Sequence, residues 1–180
     1  MSVELGIDEI LKRSHQEFNR ITEFCIQFPD DRFFQQPSED KWSAAQHLKH
    51  LIISTRTTTA AYALPKFLVR IVGGRPNRAS RSYEALVEKY KAKLQQGGKA
   101  SGRYIPETIK ASTGKNPLLT QWNKATRVYL DAIKKNWTNE ELDKYIVSHP
   151  LLGKITLREL SYFTIYHTYH HYNNIKNSKY

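Results

Sequence analysis

The chain of 180 residues contains a single cysteine, Cys25. One cysteine excludes an intramolecular disulfide framework, so the fold has to rest on packing. Cys25 falls on an apolar stripe and reads as a small core residue rather than a nucleophile. No apolar run approaches the length that spans a bilayer, and no membrane partner is expected. The start, Met1-Ser2-Val3-Glu4, lacks the basic region and apolar run of a signal peptide, so a reducing cytoplasm is the expected compartment. Glycine and proline are sparse, 8 and 7 residues, and clustered. Internal repeats and convincing strand patterns are missing, which points to an all-α chain.

What is there is globular in composition, with 39% hydrophobic and 25% charged residues. The length suits a single domain, 1–180, with a real core. The net charge is +11 and unevenly spread. From Arg70 to Lys115 there are eleven Lys or Arg against three acids, Glu84, Glu88 and Glu107, so eight of the eleven net charges lie there.

Apolar spacing predicts four long helices. The first, near 3–28, carries Ile7, Ile10, Leu11, Phe18, Ile21, Cys25 and Phe28, and Pro29 stops it. The second, near 43–71, has Ser43 as its cap and Trp42 positioned to staple back on its first turns. Pro65 is placed to kink it and Gly73-Gly74 to end it. The third, near 117–137, opens at Asn116-Pro117, a cap followed by proline at the first helical position. The last, near 156–177, opens with a capping box from Thr156 to Glu159, and a similar box from Thr138 to Glu141 starts a short turn. Between the second and third helices lies a long crossover, roughly 73–116. It holds one amphipathic helix with Tyr83, Leu86, Val87, Tyr90 and Leu94. Four long helices with one long crossover read as a four-helix bundle.

The seven histidines carry the chemistry. On the last helix the inward stripe runs Leu157, Leu160, Thr164, His167, His171, Asn174, turning from apolar to imidazole and amide. His167 and His171 are four apart and project from one side, a spacing that lets two imidazoles chelate one ion. The second helix offers His47 and His50, of which one facing the interior would complete a set of three. Neutral imidazoles suit Zn, Ni, Fe or Cu and not Mg or Ca, and three protein ligands leave a position open for water or substrate. Spacing alone leaves two readings, a metal site and a hydrogen-bonded polar core cluster. His15 and His149 read as surface or structural residues. The tyrosines Tyr162, Tyr166, Tyr169 and Tyr172 read as core or interface.

Two stretches, Pro37 to Leu51 and Gly153 to Ile175, resemble the DinB/YfiT-like metalloenzymes. The first carries Trp42-Ser43 at a helix start with His50 eight residues after Trp42. The second carries His167, His170 and His171 in the order histidine, two residues, two histidines. The resemblance covers nearly the whole chain. It implies metal ligands at His50, His167 and His171, with His47 and His170 beside them, and Asn174 where the family often has glutamine. It also implies a four-helix bundle, a homodimer, and zinc or nickel. Relatives transfer low-molecular-weight thiols such as bacillithiol or use mycothiol in an isomerisation, and many others are described as metal-dependent hydrolases.

The leading expectation is therefore a metal-dependent thiol S-transferase or hydrolase with a small-molecule substrate. The basic crossover, through Arg75, Arg78 and Arg81, would attract an anionic thiol cofactor. One alternative is an anion or nucleic-acid binding module built on residues 70–115, with Tyr83, Tyr90 and Tyr104 stacking between positive charges. No nucleic-acid motif supports it, so nucleic acid is not the expected partner. The other alternative is a metal-free relative whose histidines fill the core.

Overall fold

The computed structural model describes residues 4–178, and it is mostly helical. Helix α1 spans Ile7–Gln27 and a short α2 spans Asp30–Phe33. Helix α3 runs Ala44–Ala63, α4 Lys66–Gly73, and α5 Tyr83–Gln95. Helix α6 is Lys115–Asn136 and α7 is Leu157–Lys176. Ahead of α7, strands β1 (Ile146–His149) and β2 (Gly153–Thr156) form an antiparallel hairpin in the register Ile146↔Thr156. No helix among the described residues is long and apolar enough to cross a membrane.

The four longest helices share one hydrophobic core, with α3 against α6 and α7, and α1 against α6 and α7. Helix α5, the one helix expected in the crossover, lies against α7. Aromatic rings fill the centre. Phe18 meets Trp122 at 5.3 Å and Tyr129 at 5.7 Å, both edge-on. Rings of this kind supply the largest apolar burial per residue, on the order of 2–3 kcal/mol each. Cys25 is fully buried, and burial pushes its thiol up to about 12, which leaves it a core residue.

Four expectations change. The second helix does not kink at Pro65 but ends. Leu64, ahead of the proline, is extended (ψ 146), and Pro65 caps a separate α4. Gly73 then lets α4 touch β1: a Cβ there would sit 1.8 Å from the Ile146 carbonyl oxygen. Helix α6 starts two residues before Pro117, behind Gly114 in the left-handed region (φ 74). Proline is tolerated in the first turn, where its missing N–H has no helical partner. The hairpin was not expected, because four-residue strands are too short to show an alternating pattern. The first helix begins at Ile7 rather than residue 3, and residues 1–3 lie outside the described residues.

Two buried charges fix the start of α7. Its capping box is complete, with Thr156 Oγ1 accepting from Glu159 N–H at 3.2 Å and Glu159 Oε2 accepting from Thr156 N–H at 2.9 Å. The same carboxylate, with no exposure, accepts both Arg78 Nη atoms at 2.8 Å. It also accepts Arg81 Nη1 at 3.0 Å and the Arg81 N–H at 2.9 Å. Next to it Arg158, 1% exposed, donates to the Leu5 carbonyl, the Asn139 carbonyl and both oxygens of Asp143. Arg78 and Arg81 thus belong to the scaffold.

Burial by itself would raise the Glu159 carboxyl, but the Arg78 guanidinium and the backbone N–H groups of Arg81 and Thr156 outweigh it and hold it below 4.5. A carboxyl held low in the folded state adds stability above pH 4.5, which is lost as pH falls through the folded value. Replacing both Arg78 and Arg81 by alanine should strand the buried carboxylate and cost about 3 kcal/mol at neutral pH. That deficit should shrink below pH 4.5, where the carboxyl can protonate. Urea unfolding on either side of that pH measures it; a deficit independent of pH would show that the loss comes from packing instead.

Candidate metal centre

The centre is built by α3 and α7. Ser43 opens α3 with a complete capping box: its Oγ accepts from Gln46 N–H at 3.1 Å, and Gln46 Oε1 accepts from Ser43 N–H at 2.9 Å. This start aims His47 and His50 inward, 7% and 5% exposed. On α7, His167 and His171 occupy one face a turn apart, 5% and 6% exposed. Where α3 and α7 pack together, His50 Nε2 lies 3.1 Å from His167 Nε2, and His171 Nε2 lies 3.0 Å from the same atom. His50, His167 and His171 form a buried group whose candidate ligand atoms all lie within 4.8 Å of one another.

The proton count of these rings bears on what they hold. His50 Nδ1 stands 2.7 Å from the Tyr104 carbonyl oxygen, which can only accept. The His50 proton is therefore on Nδ1, and its Nε2 lone pair faces the other two histidines. His171 Nδ1 shares a hydrogen with His47 Nδ1 at 2.7 Å. If His171 carries its proton on Nδ1, a single Nε2–H on His167 would have to serve two neighbours; if it carries it on Nε2, the His50 and His167 lone pairs face each other without a proton. A cation serves all three lone pairs at once. Ligands about 2.0–2.1 Å from a tetrahedral ion stand ~3.3 Å apart, close to the separations found here. Outer N–H groups held by a carbonyl or a second ring are also the usual support of metal-bound histidine. The residues thus fit a borderline transition metal, and the all-nitrogen donor set disfavours Mg or Ca.

Every ring in the cluster is held neutral. Burial, then the neighbouring histidines, push His167 and His171 well below 6.5. Burial lowers His50 against the opposing Tyr104 carbonyl, and takes His47 down to about 3. Aromatic faces fix the ring planes. Phe163 stacks on His167 at 4.7 Å, and Trp42 stacks on His171 at 6.1 Å with 8° between planes. Trp42 also lies 5.1 Å from His50.

The cluster opens on a cavity of about 780 Å³ between α3, α7, the hairpin and the crossover. His170 and Asn174 sit at its edge, Asn174 Nδ2 donating to His170 Nε2 at 3.1 Å. Asn174 is exposed rather than on the inward stripe. Arg75 is exposed, Arg78 and Arg81 are bonded to Glu159, and none of the three lines the cavity. The basic crossover therefore does not put these arginines at the histidines. Of its three tyrosines, Tyr90 is buried against Phe163 and Tyr83 packs edge-on to Tyr162, while Tyr90 and Tyr104 also line the cavity. His15 is on the surface, bonded to Asn19, as its position suggested.

Three contributors escaped the sequence. Trp42 reads as a helix staple but lines the site. The Tyr104 carbonyl leaves no side-chain signal. His149, on β1, lies against Phe163 at 4.2 Å and lines the cavity, with burial lowering it to about 4.

A mostly helical protein with three buried, convergent, neutral imidazoles beside a cavity is one equipped to hold a metal ion. The DinB superfamily model matches residues 12–175, and the chain belongs to the DinB superfamily. No curated protein matches it.

Long-range ¹H–¹⁵N spectra should show His50 as the Nδ1–H tautomer, with Nε2 bare or metal-bound. Finding the proton on Nε2 would remove the lone pair the site needs from α3.

Proposed function

We propose that this protein is a metal-dependent enzyme, a thiol S-transferase or hydrolase, whose ion is held by His50, His167 and His171. The reading takes the whole chain as one four-helix-bundle domain acting as a cytoplasmic homodimer, as the family resemblance implies. The observation that carries the site is the pair of Nε2 separations, 3.0 and 3.1 Å, among three buried rings with one lone pair fixed inward. Zinc or nickel, which the family resemblance implies, is compatible with the donor set. When bound, such an ion acidifies a coordinated thiol or water, so that thiolate or hydroxide is available near neutral pH.

The chain's own residues do the rest. His47 holds the outer nitrogen of His171, and the Tyr104 carbonyl holds that of His50, so neither ring is free to turn. Trp42 and Phe163 cover ring faces of His171 and His167. The cavity admits a small molecule to the open side. The group contains no carboxylate, so a thiol or water at the ion is not displaced by a competing protein anion.

Protein purified without chelator or polyhistidine tag should carry about one transition-metal ion per chain by elemental analysis. Zinc or nickel should raise the melting temperature of the metal-stripped wild type. His171→Ala should abolish both effects, and His47→Ala should weaken metal affinity about 10–100-fold while leaving the site able to bind. If no metal raises the melting temperature of the wild type, the histidines are a polar core cluster and the enzyme reading falls.

A further inference from the structure

The cavity is far larger than the histidine group, at about 780 Å³ against nitrogens all within 4.8 Å of one another. Beyond His50, α3 contributes Ser54, Thr57, Thr58 and Ala61 to its wall. His50, Ser54 and Thr58 recur every four residues, so they share a helix face at steps of about 6 Å.

The hydroxyls on this helix behave in two ways. Thr57 and Thr59 bond back to the carbonyls four residues earlier, at 3.0 and 2.7 Å. On α7, Thr164 and Thr168 do the same at 2.9 Å. Ser54 and Thr58 do not. They are 8% and 7% exposed, they line the cavity, and neither side chain has a hydrogen bond among the described residues. Neither of these oxygens is sealed from solvent, so both can bond what fills the cavity, and the carbonyl four residues back is the easy partner for a helical hydroxyl. Two that forgo it, one turn apart on the same cavity wall, are placed to bond something that enters.

The opposite wall limits what that is. His149 Nδ1 accepts from the N–H groups of Leu151 and Leu152, both at 3.2 Å, so the neutral ring carries its proton on Nε2 as a donor. Val147, Leu160 and Phe163 supply apolar surface. Among the described residues the one acid lining the cavity is Asp40, near Trp42 in sequence and not on this stretch, and Lys41 and Lys99 line it as well. The stretch offers two hydroxyls and an imidazole N–H, with no carboxylate to receive a cation.

We propose that Ser54 and Thr58 form a hydrogen-bonding rail for an extended small molecule bearing amide or ester carbonyl oxygens. Its reacting end lies at His50, His167 and His171, and its carbonyls lie about 6 and 12 Å along α3. The proposal rests on the metal-enzyme reading for which end reacts, and not for the rail itself. Ser54 and Thr58 are then specificity-determining residues. They distinguish a ligand with carbonyls at the right distance from one that binds only at the histidine end.

The test uses Ser54→Ala with Thr58→Val, which removes the hydroxyls and keeps Thr58's shape, and three probes. Glutathione and S-methylglutathione both carry amides; 1-propanethiol carries none. S-methylglutathione, which offers no thiolate, is titrated calorimetrically into metal-free protein. The two thiols are titrated into cobalt-loaded protein and followed by the thiolate-to-cobalt absorption band. The double variant should weaken binding of S-methylglutathione and of glutathione roughly tenfold or more, and leave 1-propanethiol unchanged. The swap Ser54→Thr with Thr58→Ser should restore it. Equal affinity of wild type and variant for S-methylglutathione overturns the rail, as does no binding of it at millimolar concentration. An equal loss for 1-propanethiol also overturns it, because the hydroxyls would then be shaping the site rather than reading the ligand. If cobalt does not bind but the S-methylglutathione result holds, the metal reading fails and the rail stands.

Discussion

Arg158 and Glu159, adjacent and of opposite charge, are both out of solvent at the first turn of α7. Neither is stable there alone, because an isolated charge in the interior costs several kcal/mol even after relaxation. Each is therefore surrounded by fixed partners. Glu159 gathers the 78–81 segment and the end of β2, while Arg158 gathers Leu5, Asn139 and Asp143. Four separate pieces of chain converge on one helix turn, and the direction in which α7 leaves that turn is set by ionic geometry as well as by apolar packing. The counter-charges come from the 78–81 segment for Glu159 and from Asp143 for Arg158, and the backbone groups of the other pieces complete the bonding.

The histidines depend on that anchor. His167 lies ten residues beyond Leu157, or about 15 Å along the axis, and a rotation of the helix start would swing both imidazoles off the interior face. Helix α3 has a neutral version of the same device, the Ser43–Gln46 box, only four residues before His47. Two capped helix starts thus deliver four histidines to one place. The third support is the crossover, whose 3₁₀ turn at Gly102–Tyr104 brings a backbone carbonyl to His50. The length of the crossover is explained by these duties. It has to hold Glu159 at one end, pack α5 against α7 in its middle, and reach His50 before α6 begins.

Much of this was legible because it is local. Capping boxes are read from residues three apart, and the His167–His171 pair from residues four apart, so short-range periodicity is enough. The same holds for Cys25 on the α1 stripe. What escaped depends on partners distant in sequence. Arg78 and Arg81 are ordinary basic loop residues until Glu159, far along the chain, is brought to them. The stripe that places Glu159 at the third position of a capping box explains its side chain completely, so nothing local asks for an arginine. Trp42 satisfies the staple pattern as well as the site it serves. The carbonyl of Tyr104 has no sequence signature at all. Pro65 was seen, but a proline's effect depends on whether the helix beyond it has packing to resume the same axis; α4 packs on β1 instead.

The charge balance of the centre joins its geometry to its chemistry. The chain carries +11 overall, yet the five imidazoles at the site are all pushed toward neutrality by burial. A divalent ion held by three neutral nitrogens keeps its full positive charge, whereas one held by two carboxylates would be neutral. The donor set thus favours an anion as the remaining ligand, and it does so without any arginine at the site. An anion there would need no help from Arg78 and Arg81, which are bonded to Glu159 instead. The depressed titration of the rings comes from burial and from the neighbouring histidines, and it favours a metal because a proton and a metal compete for the same lone pairs. Burial that disfavours the imidazolium form keeps those lone pairs open at neutral pH, so the hydrophobic surroundings of α3 and α7 prepare the site electrostatically before anything enters it.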